Sequence, residues 1–262
     1  MRRSTWMLLL AMCLASVVVV VAAPSSNRFG QPVRGIASPG DYPEGLAWDG
    51  ARLWSNNYSN GTLYAVDPSD GRILRAHSGN GLPIHPEGLA WDGTHLWTCD
   101  WTTGHIFKLR DTGTDVEIVA DFPPPELAGG PVGLEWDGAH LWLATWGQGT
   151  GNYSQLFKLD PTTLAVVQRF ELPVWWVEDL AWDGHYLWSC DWLFRKGFAI
   201  DTATGDTLHT YATPGPHPVG MAWDGTHLWI SDTDKDSLWA LDITRTTAVE
   251  SRTWSALKRA FR

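Results

Sequence analysis

Short runs of alternating apolar and polar residues follow one another along this chain, separated by turn residues, which is typical of β-strands. The sequence PEGLAWDGARLW begins at Pro43 and returns in close copies. These copies begin at Pro86, Pro131, Val177 and Pro218. Their anchoring tryptophans follow one another at intervals of 43, 45, 46 and 41 residues. A fixed interval of this length, with four short strands in each repeat, predicts propeller blades.

The first repeat predicts its four strands one by one. Residues 44–48 form a short apolar strand, and an Asp-Gly pair supplies the turn. Residues 53–58, 62–67 and 72–77 predict the second, third and fourth strands. The other repeats follow the same plan. The chain therefore predicts an all-β fold, a five-bladed β-propeller of four-stranded blades.

Residues 33–38 precede the first repeat and resemble a fourth strand without a blade of its own. The fourth strand of the fifth repeat is the least regular of the five, so we predict that residues 33–38 pair into blade five. This N-terminal strand would close the ring. We assign the propeller to residues 24–250 and a tail, a candidate short helix, to residues 251–262.

The N-terminal residues resemble an export signal. Arg2 and Arg3 precede a run of apolar residues from 7 to 23. We predict a signal peptide over residues 1–23 and export to the periplasm or secretion from the cell; an uncleaved anchor is the alternative.

Charge narrows the classes of partner. The formal net charge is −10, and it becomes −12 when Arg2 and Arg3 are removed. An acidic surface disfavours binding to nucleic acid and to anionic membranes. We therefore expect a monomer whose ligand is a small molecule or another protein, with no membrane contact apart from the signal segment.

The second strands predict a packing slot between blades. Each carries a tryptophan, and two residues later a small residue follows. The small residues are Asn56, Cys99, Ala144, Cys190 and Ser231. The two cysteines belong to repeats that are not neighbours in a ring of five, so we predict buried, unpaired thiols that fill the core.

Carboxylates recur at one end of the first two strands of each repeat. If Trp48 pairs with Leu53 across the turn, Glu44 lies opposite Asn57, and the same count applies to every repeat. The first strand of each blade lines the central channel of a propeller. The ring predicted at one mouth of that channel comprises Glu44, Asn57, Glu87, Asp100, Glu178, Asp191 and Asp232.

Two directly opposed carboxylate pairs in this ring indicate a cation. Like charges across a strand pair repel, and they either share a proton or bind a positive ion. Oxygen ligands suit calcium or another divalent cation. The candidate metal ligands are Glu44, Glu87, Glu178, Asp100, Asp191 and Asn57. In the alternative interpretation, the acids of the second strands point into water at the rim.

Aromatic residues and histidines flank the same mouth. The candidate ligand-binding residues are Tyr58, Trp101, Trp146, Trp192 and His217. Their rings are suited to stacking on a sugar or an aromatic ligand, or to packing between loops. His85 and Glu87 are the candidate catalytic residues, with His85 as a general base beside a metal or, alternatively, a rim histidine. Residues 147–154, rich in glycine, are a candidate flap or a long loop.

The repeated GLAWDGxxLW sequence and the turn FKLDPTT at residues 157–163 resemble two groups of propellers. One is the five-bladed glutamine cyclotransferase family, and the other is the six-bladed gluconolactonase-like and streptogramin-lyase-like group. Five repeats favour the first. Its functional glutamate, in a Tyr-Glu-Ser-Thr stretch, has no counterpart here. The second resemblance implies that Glu44, Glu87 and Glu178 ligate a divalent ion.

Two functions follow from these patterns. The first is an exported propeller that binds a small polar ligand or a partner at an acidic, tryptophan-rich channel mouth, together with a divalent cation. The alternative is a metal-assisted lactone hydrolase, lyase or glutaminyl cyclotransferase-like enzyme. Metal content and assays on lactones and glutaminyl peptides distinguish the two.

Overall fold

The computed structural model describes residues 29–79, 81–125, 127, 129–147 and 153–244. These residues form five four-stranded antiparallel sheets arranged as the blades of a propeller. They contain no helix with the length and apolar character that a bilayer span requires. The predicted signal peptide and the tail 251–262 lie outside the described residues.

Strands of the first three blades follow the repeats. The strand β1 (Gln31–Ala37) precedes them. Blade one comprises β2 (Pro43–Trp48), β3 (Leu53–Asn57), β4 (Leu63–Val66) and β5 (Ile73–His77). Blade two comprises β6 (Pro86–Trp91), β7 (Leu96–Asp100), β8 (Ile106–Asp111) and β9 (Val116–Phe122). Blade three comprises β10 (Pro131–Trp136), β11 (Leu141–Thr145), β12 (Gln155–Leu159) and β13 (Val166–Glu171).

The last two blades complete the ring. Blade four comprises β14 (Val177–Trp182), β15 (Leu187–Asp191), β16 (Lys196–Ile200) and β17 (Thr207–Ala212). Blade five comprises β18 (Pro218–Trp223), β19 (Leu228–Asp232), β20 (Ser237–Asp242) and the N-terminal β1. β18 packs beside β2, so the innermost strands of all five blades surround one axis.

The closing strand confirms the prediction for residues 33–38, with bounds two residues earlier at its start. β1 pairs antiparallel with β20, from Gln31 opposite Asp242 to Ala37 opposite Ser237. The first and last parts of the propeller are thereby held in one sheet. β1 covers the edge of β20 and is itself the outer strand of that sheet.

The aspartate of each Asp-Gly turn explains why the turn and the second-strand tryptophan recur together. In blade one, Asp49 accepts a hydrogen bond from the Trp54 indole at 2.8 Å and also accepts from the backbone N–H of Arg52 at 2.7 Å. The equivalent indole bonds in the other blades measure 2.8–3.0 Å. Gly50 has a φ of 97°, which a side chain would disfavour.

The tryptophans pack between blades, as predicted. Trp54 of blade one is fully buried and lies in one cluster with Leu89, Leu96 and Phe107 of blade two. Each blade therefore completes the core of the next, and no single repeat buries its apolar face alone.

The small residues of the slot do more than fill space. Ser231 donates from Oγ to the carbonyl of Glu44 in the next blade at 3.0 Å. The Asn56 amide donates in the same way to Glu87, and the thiols of Cys99 and Cys190 lie 3.8 and 3.4 Å from carbonyls of the following blades. Both cysteines are unpaired and buried, as predicted. Four of the five slot residues thus form hydrogen bonds between blades.

Candidate functional site

The register of the first hairpin in each blade corrects the predicted acid ring. Trp48 lies opposite Leu53 as expected, but the pairing then shifts by one residue, so that Pro43 rather than Glu44 lies opposite Asn57. The other blades pair Pro86 with Asp100, Pro131 with Thr145, Val177 with Asp191 and Pro218 with Asp232. The prediction of directly opposed Glu87–Asp100 and Glu178–Asp191 pairs is therefore wrong.

A β-bulge in the first strand causes the shift. One extra residue on β2 lies opposite β3 between Pro43 and Leu46. Gly45 lies within this bulge, and a Cβ there would overlap the backbone of Glu87 and Leu89 in the next blade. The blades thus approach too closely at the axis for an ordinary side chain. Counting residues within one repeat could not predict the bulge, because the contact that causes it is between two repeats.

The acids that end the second strands bind the backbone of their own blade. Asp232 accepts the N–H of His217 at 2.8 Å, and Asp100 accepts that of His85 at 3.2 Å. Each also accepts the N–H three residues later, at 2.9 and 2.8 Å respectively. Their carboxyls join the loop before the first strand to the loop after the second, which is a structural role.

Asp191 and Asn57 have the same kind of contacts. Asp191 accepts the N–H of Phe194 at 2.8 Å, and Asn57 accepts the N–H of Ser59 at 2.9 Å. Burial opposes ionisation of Asp100, yet backbone N–H donors hold its pKa below the usual range. Burial raises the pKa of Asp191. Asp100, Asp191 and Asn57, three of the predicted metal ligands, and Asp232 of the predicted ring therefore already have protein partners.

Glu44, Glu87 and Glu178 lie together at the mouth of the channel. Each is the second residue of an innermost strand, and Glu87 and Glu178 are only 6% and 5% exposed. Together with the glycines of the bulges they line a space at the axis too narrow for a water molecule. The structure thus brings these three predicted residues together at the axis. Asp100 and Asp191 bind loop backbone instead, although their charges still raise the pKa values of Glu87 and Glu178 respectively.

Burial and neighbouring acids raise the pKa of all three glutamates. Burial, and then the charge of Asp179, raise the pKa of Glu44 to about 8. Burial followed by the charges of Glu44 and Asp179 raises the pKa of Glu87 well above its usual range. For Glu178 the causes of the raised pKa are burial and then Glu44 and Glu87. A positive charge placed among them would relieve this repulsion.

Two further acids of the channel were missed from the sequence. Asp179 stands where four other repeats have glycine, and burial raises its pKa to about 8 although backbone N–H groups lower it in part. Glu135 stands where the other repeats have alanine, and its pKa is raised by burial and then by Asp179. Each acid departs from the residue that the other repeats have at its position, and this departure was visible in the sequence.

Among the residues that the structure describes, no group of three or more His, Cys, Asp or Glu side chains is placed to hold a metal ion. Glu44, Glu87 and Glu178 have the oxygen donors that calcium prefers. A divalent cation at these three residues stays a prediction.

Four indole rings form a continuous arc around the mouth. Trp101 and Trp146 have ring centroids 4.5 Å apart, Trp146 and Trp176 are 5.3 Å apart, and Trp176 and Trp192 are 5.7 Å apart. The His217 ring continues the arc 4.9 Å from Trp192. All four tryptophans keep some exposure. The predicted aromatic residues of blades two to five are therefore in mutual contact, with Trp176 joining them.

Trp146 connects the aromatic arc to the carboxyls. Its buried indole N–H has no hydrogen-bond partner of regular geometry among the described residues. It lies close enough to Glu178 to lower the pKa of that carboxyl in part, against the larger effect of burial. The channel glutamates and the indole arc are thus in contact through Trp146 and Glu178.

Tyr58 and His85 form the opposite side of the mouth. Their rings lie 5.1 Å apart, and His85 Nδ1 is 2.9 Å from the Thr102 hydroxyl. Burial, and then the charges of Glu87 and Glu44, raise the pKa of Tyr58. Tyr58 therefore faces the channel acids. His85 lies at the mouth, as predicted, and its role as a base stays a prediction.

A separate apolar cavity of about 360 Å³ lies beside the mouth, between blades three and four. Its lining includes Val174, Trp175, Phe194 and Phe198, together with Lys196 and Asp191. Residues 148–152 of the predicted flap lie outside the described residues. The cavity offers an apolar alternative to the acidic mouth.

No protein-family model and no curated protein sequence matches this chain. Among solved structures, the chain is similar to the glutaminyl cyclase of Myxococcus xanthus, at 18% identity and a TM-score of 0.67 over 82% of this chain and 97% of that one. That likeness shows the fold. A chain of a nidogen–laminin complex matches at 18% identity and a TM-score of 0.54, over 78% of this chain and 77% of that one.

A weaker likeness links the chain to virginiamycin B lyase of Staphylococcus aureus, at 18% identity and a TM-score of 0.47, over 79% of this chain and 68% of that one. The resemblance to the cyclotransferase type of propeller is thus confirmed for the fold. At these identities it assigns no activity.

Proposed function

We propose that the channel mouth binds a small ligand that carries a positive charge, with Glu44, Glu87 and Glu178 beneath it and the indole arc around it. The arc of four indoles in contact with a buried carboxyl is the observation that supports this function. The predicted signal peptide supports action outside the cytoplasm.

Electrostatics favour a cation at the mouth. Burial and neighbouring acids raise the pKa values of these three carboxyls. An ammonium group beside them stabilises their ionised form, so its binding is coupled to the release of protons. The formal charge of −10 also draws cations toward the protein. The ligand sits above the axis, because the channel itself is filled at the level of the glutamates.

Indole rings are the side chains that bind cations best through their π faces. Trp101, Trp146, Trp176 and Trp192 keep partial exposure, and their edges and faces border the mouth. Each such contact contributes about 0.5–2 kcal/mol, depending on how much water it excludes. An organic ammonium with an apolar body therefore fits both the wall and the floor.

A matched pair of probes tests this function. Benzylammonium and benzyl alcohol have nearly the same shape, and only the first carries a charge. We expect isothermal titration calorimetry to show saturable binding of benzylammonium and binding of benzyl alcohol at least about tenfold weaker, which is about 1.4 kcal/mol. Equal binding of the two probes would show that the charge is not recognised, and it would favour the apolar cavity beside Phe194 as the binding site.

A divalent cation is the second occupant to test. Calcium that binds only the folded state increases the free energy of unfolding, by about 2.7 kcal/mol at a calcium concentration a hundred times the dissociation constant. The melting temperature rises accordingly. We expect Glu87→Gln to reduce this response, and Asp121→Asn, at an exposed acid paired with His105, to leave it unchanged. A melting temperature that does not change with calcium, magnesium or chelator would exclude a divalent cation and leave the organic cation as the proposed ligand.

Cyclisation of N-terminal glutamine is the second candidate function. The observation that favours it is Glu44, whose pKa of about 8 suits proton transfer near neutral pH. In this reaction the α-amine attacks the side-chain amide carbon, the C–N bond of the amide breaks, and ammonia leaves with a proton that Glu44 relays. We expect mass spectrometry of a glutaminyl peptide to show loss of ammonia, and Glu44→Gln to abolish it. A peptide that stays intact leaves only the binding function.

A further inference from the structure

The innermost strands have one exception to their glycine pattern. Gly45, Gly88, Gly133 and Gly220 occupy the bulges of four blades, where a Cβ would overlap the backbone of the next blade. Blade four has Asp179 at this position instead. Its side chain is 2% exposed and therefore buried at the axis.

The Asp179 carboxyl binds backbone groups of three other blades. Its Oδ2 accepts the N–H of Leu46 in blade one at 3.1 Å and the N–H of Met221 in blade five at 3.0 Å. Its Oδ1 accepts the N–H of Leu134 in blade three at 3.2 Å. These contacts span 133, 42 and 45 residues of sequence, so one side chain joins four blades.

The three N–H groups belong to strands whose channel side has no further strand to pair with. A buried N–H without an acceptor is costly, and water does not fit into the axis beside Asp179. Both carboxyl oxygens are occupied by donors from the ring. The axis therefore has the donors and the shape of a site for one carboxyl group.

We propose that the propeller axis is a site for one carboxyl group, built from backbone N–H groups of blades one, three and five, and that Asp179 is its resident occupant. The site lies beneath the mouth, beside Glu44, Glu87 and Glu178. Its chemical class of ligand is a small carboxylic acid such as formic acid, supplied as formate, which would enter when the side chain of Asp179 is removed.

Asp179→Gly tests the proposal, because it gives blade four the residue that the other four blades have. In chloride buffer we expect Asp179→Gly to melt well below the wild type. Formate present during refolding should restore much of the loss in a saturable way, whereas chloride at equal ionic strength should not. Glu178→Gln, at the neighbouring channel acid, is the control and should show no response to formate.

Two results would overturn the proposal. The first is a melting temperature of Asp179→Gly equal to that of the wild type. The second is a lowered melting temperature that does not change when Asp179→Gly is refolded in formate. If the glycine variant does not fold in any buffer, Asp179→Asn replaces it, since the asparagine keeps the shape but only one acceptor oxygen. Hydrogen exchange should then be faster than in the wild type at Leu134, or at both Leu46 and Met221. Unchanged exchange at all three amides would overturn the proposal as well.

Discussion

At the scale of single residues, one position of the second strand decides how firmly each blade is joined to the next. Ser231, Asn56 and both cysteines donate to a carbonyl of the following blade, whereas Ala144 has no donor to offer. Ser231 Oγ also accepts the N–H of Gly220 at 2.7 Å. All five slot residues are thus small, but they differ in whether they form a hydrogen bond to the next blade.

Ser231→Ala should therefore destabilise the fold. The change leaves a buried N–H and a buried carbonyl without their partner, at a cost of about 1–3 kcal/mol. Urea unfolding measures this as a lower midpoint. Ala144→Ser is the reciprocal variant; its midpoint should be at least that of the wild type if the hydroxyl reaches the carbonyl of Glu178. A Ser231→Ala midpoint equal to the wild type would make the slot a matter of packing alone.

At the scale of strands and turns, the Asp-Gly turn holds a hairpin and a tryptophan together. Asp137 accepts the N–H of His140 at 2.7 Å and the Trp142 indole at 2.9 Å, and Lys158 lies 3.1 Å from it. Burial opposes its ionisation, but these donors hold its pKa below the usual range. The carboxyl therefore serves both backbone and side chain.

Asp137→Ala should cost about 1–3 kcal/mol of stability, because it leaves a buried indole N–H without an acceptor. The loss should be smaller for Asp137→Asn, which keeps one acceptor oxygen. Denaturant unfolding followed by tryptophan fluorescence measures both variants. Equal stability of the alanine and asparagine variants would show that the indole bond contributes nothing.

The closing strand is the other decisive element. A chain that begins at residue 41 lacks β1 and exposes the free edge of β20, so we expect a clear loss of stability and a tendency to self-associate. A chain that begins at Phe29 is the matched control and should melt as the longer protein does. Equal melting of the two shortened chains would show that β1 does not hold the ring.

Much of this organisation could be predicted from the sequence, because it repeats. The five Asp-Gly turns predicted the hairpins, and equivalent positions in the repeats predicted the aromatic residues of the mouth. The pairing of Glu44 with Asn57 failed, because the bulge at Gly45 results from contact with the next blade. The position of Asp179 was visible as a missing glycine, but its three partners lie in other blades and become apparent only when the ring is closed.

At the scale of the whole molecule, the channel acids make stability depend on pH. Glu44 has an ordinary pKa of 4.5 and a pKa of about 8 in the folded protein. The folded state therefore binds more protons between these values, and its stability falls as the pH rises through this window. The contribution is fully present below about pH 4.5 and is lost above about pH 8.

Urea midpoints measured between about pH 5 and about pH 8 should fall steadily in the wild type. Glu44→Gln removes one of the groups that take up a proton on folding, so its midpoints should fall less. Asp121→Asn, at an exposed acid, should keep the slope of the wild type. A wild-type midpoint that rises over this range would contradict the raised pKa of the channel acids.

The central claim is that the carboxyls and indoles at the channel mouth form one site for a cation, and calorimetric titration of benzylammonium into three proteins tests it most directly. We predict saturable binding to the wild type and unchanged binding to Phe194→Ala in the neighbouring cavity. Binding to Glu87→Gln should be about tenfold weaker, because that variant lacks a carboxyl that ionises when the cation binds. Binding that survives in Glu87→Gln and is lost in Phe194→Ala, or no saturable binding to the wild type, would contradict the account.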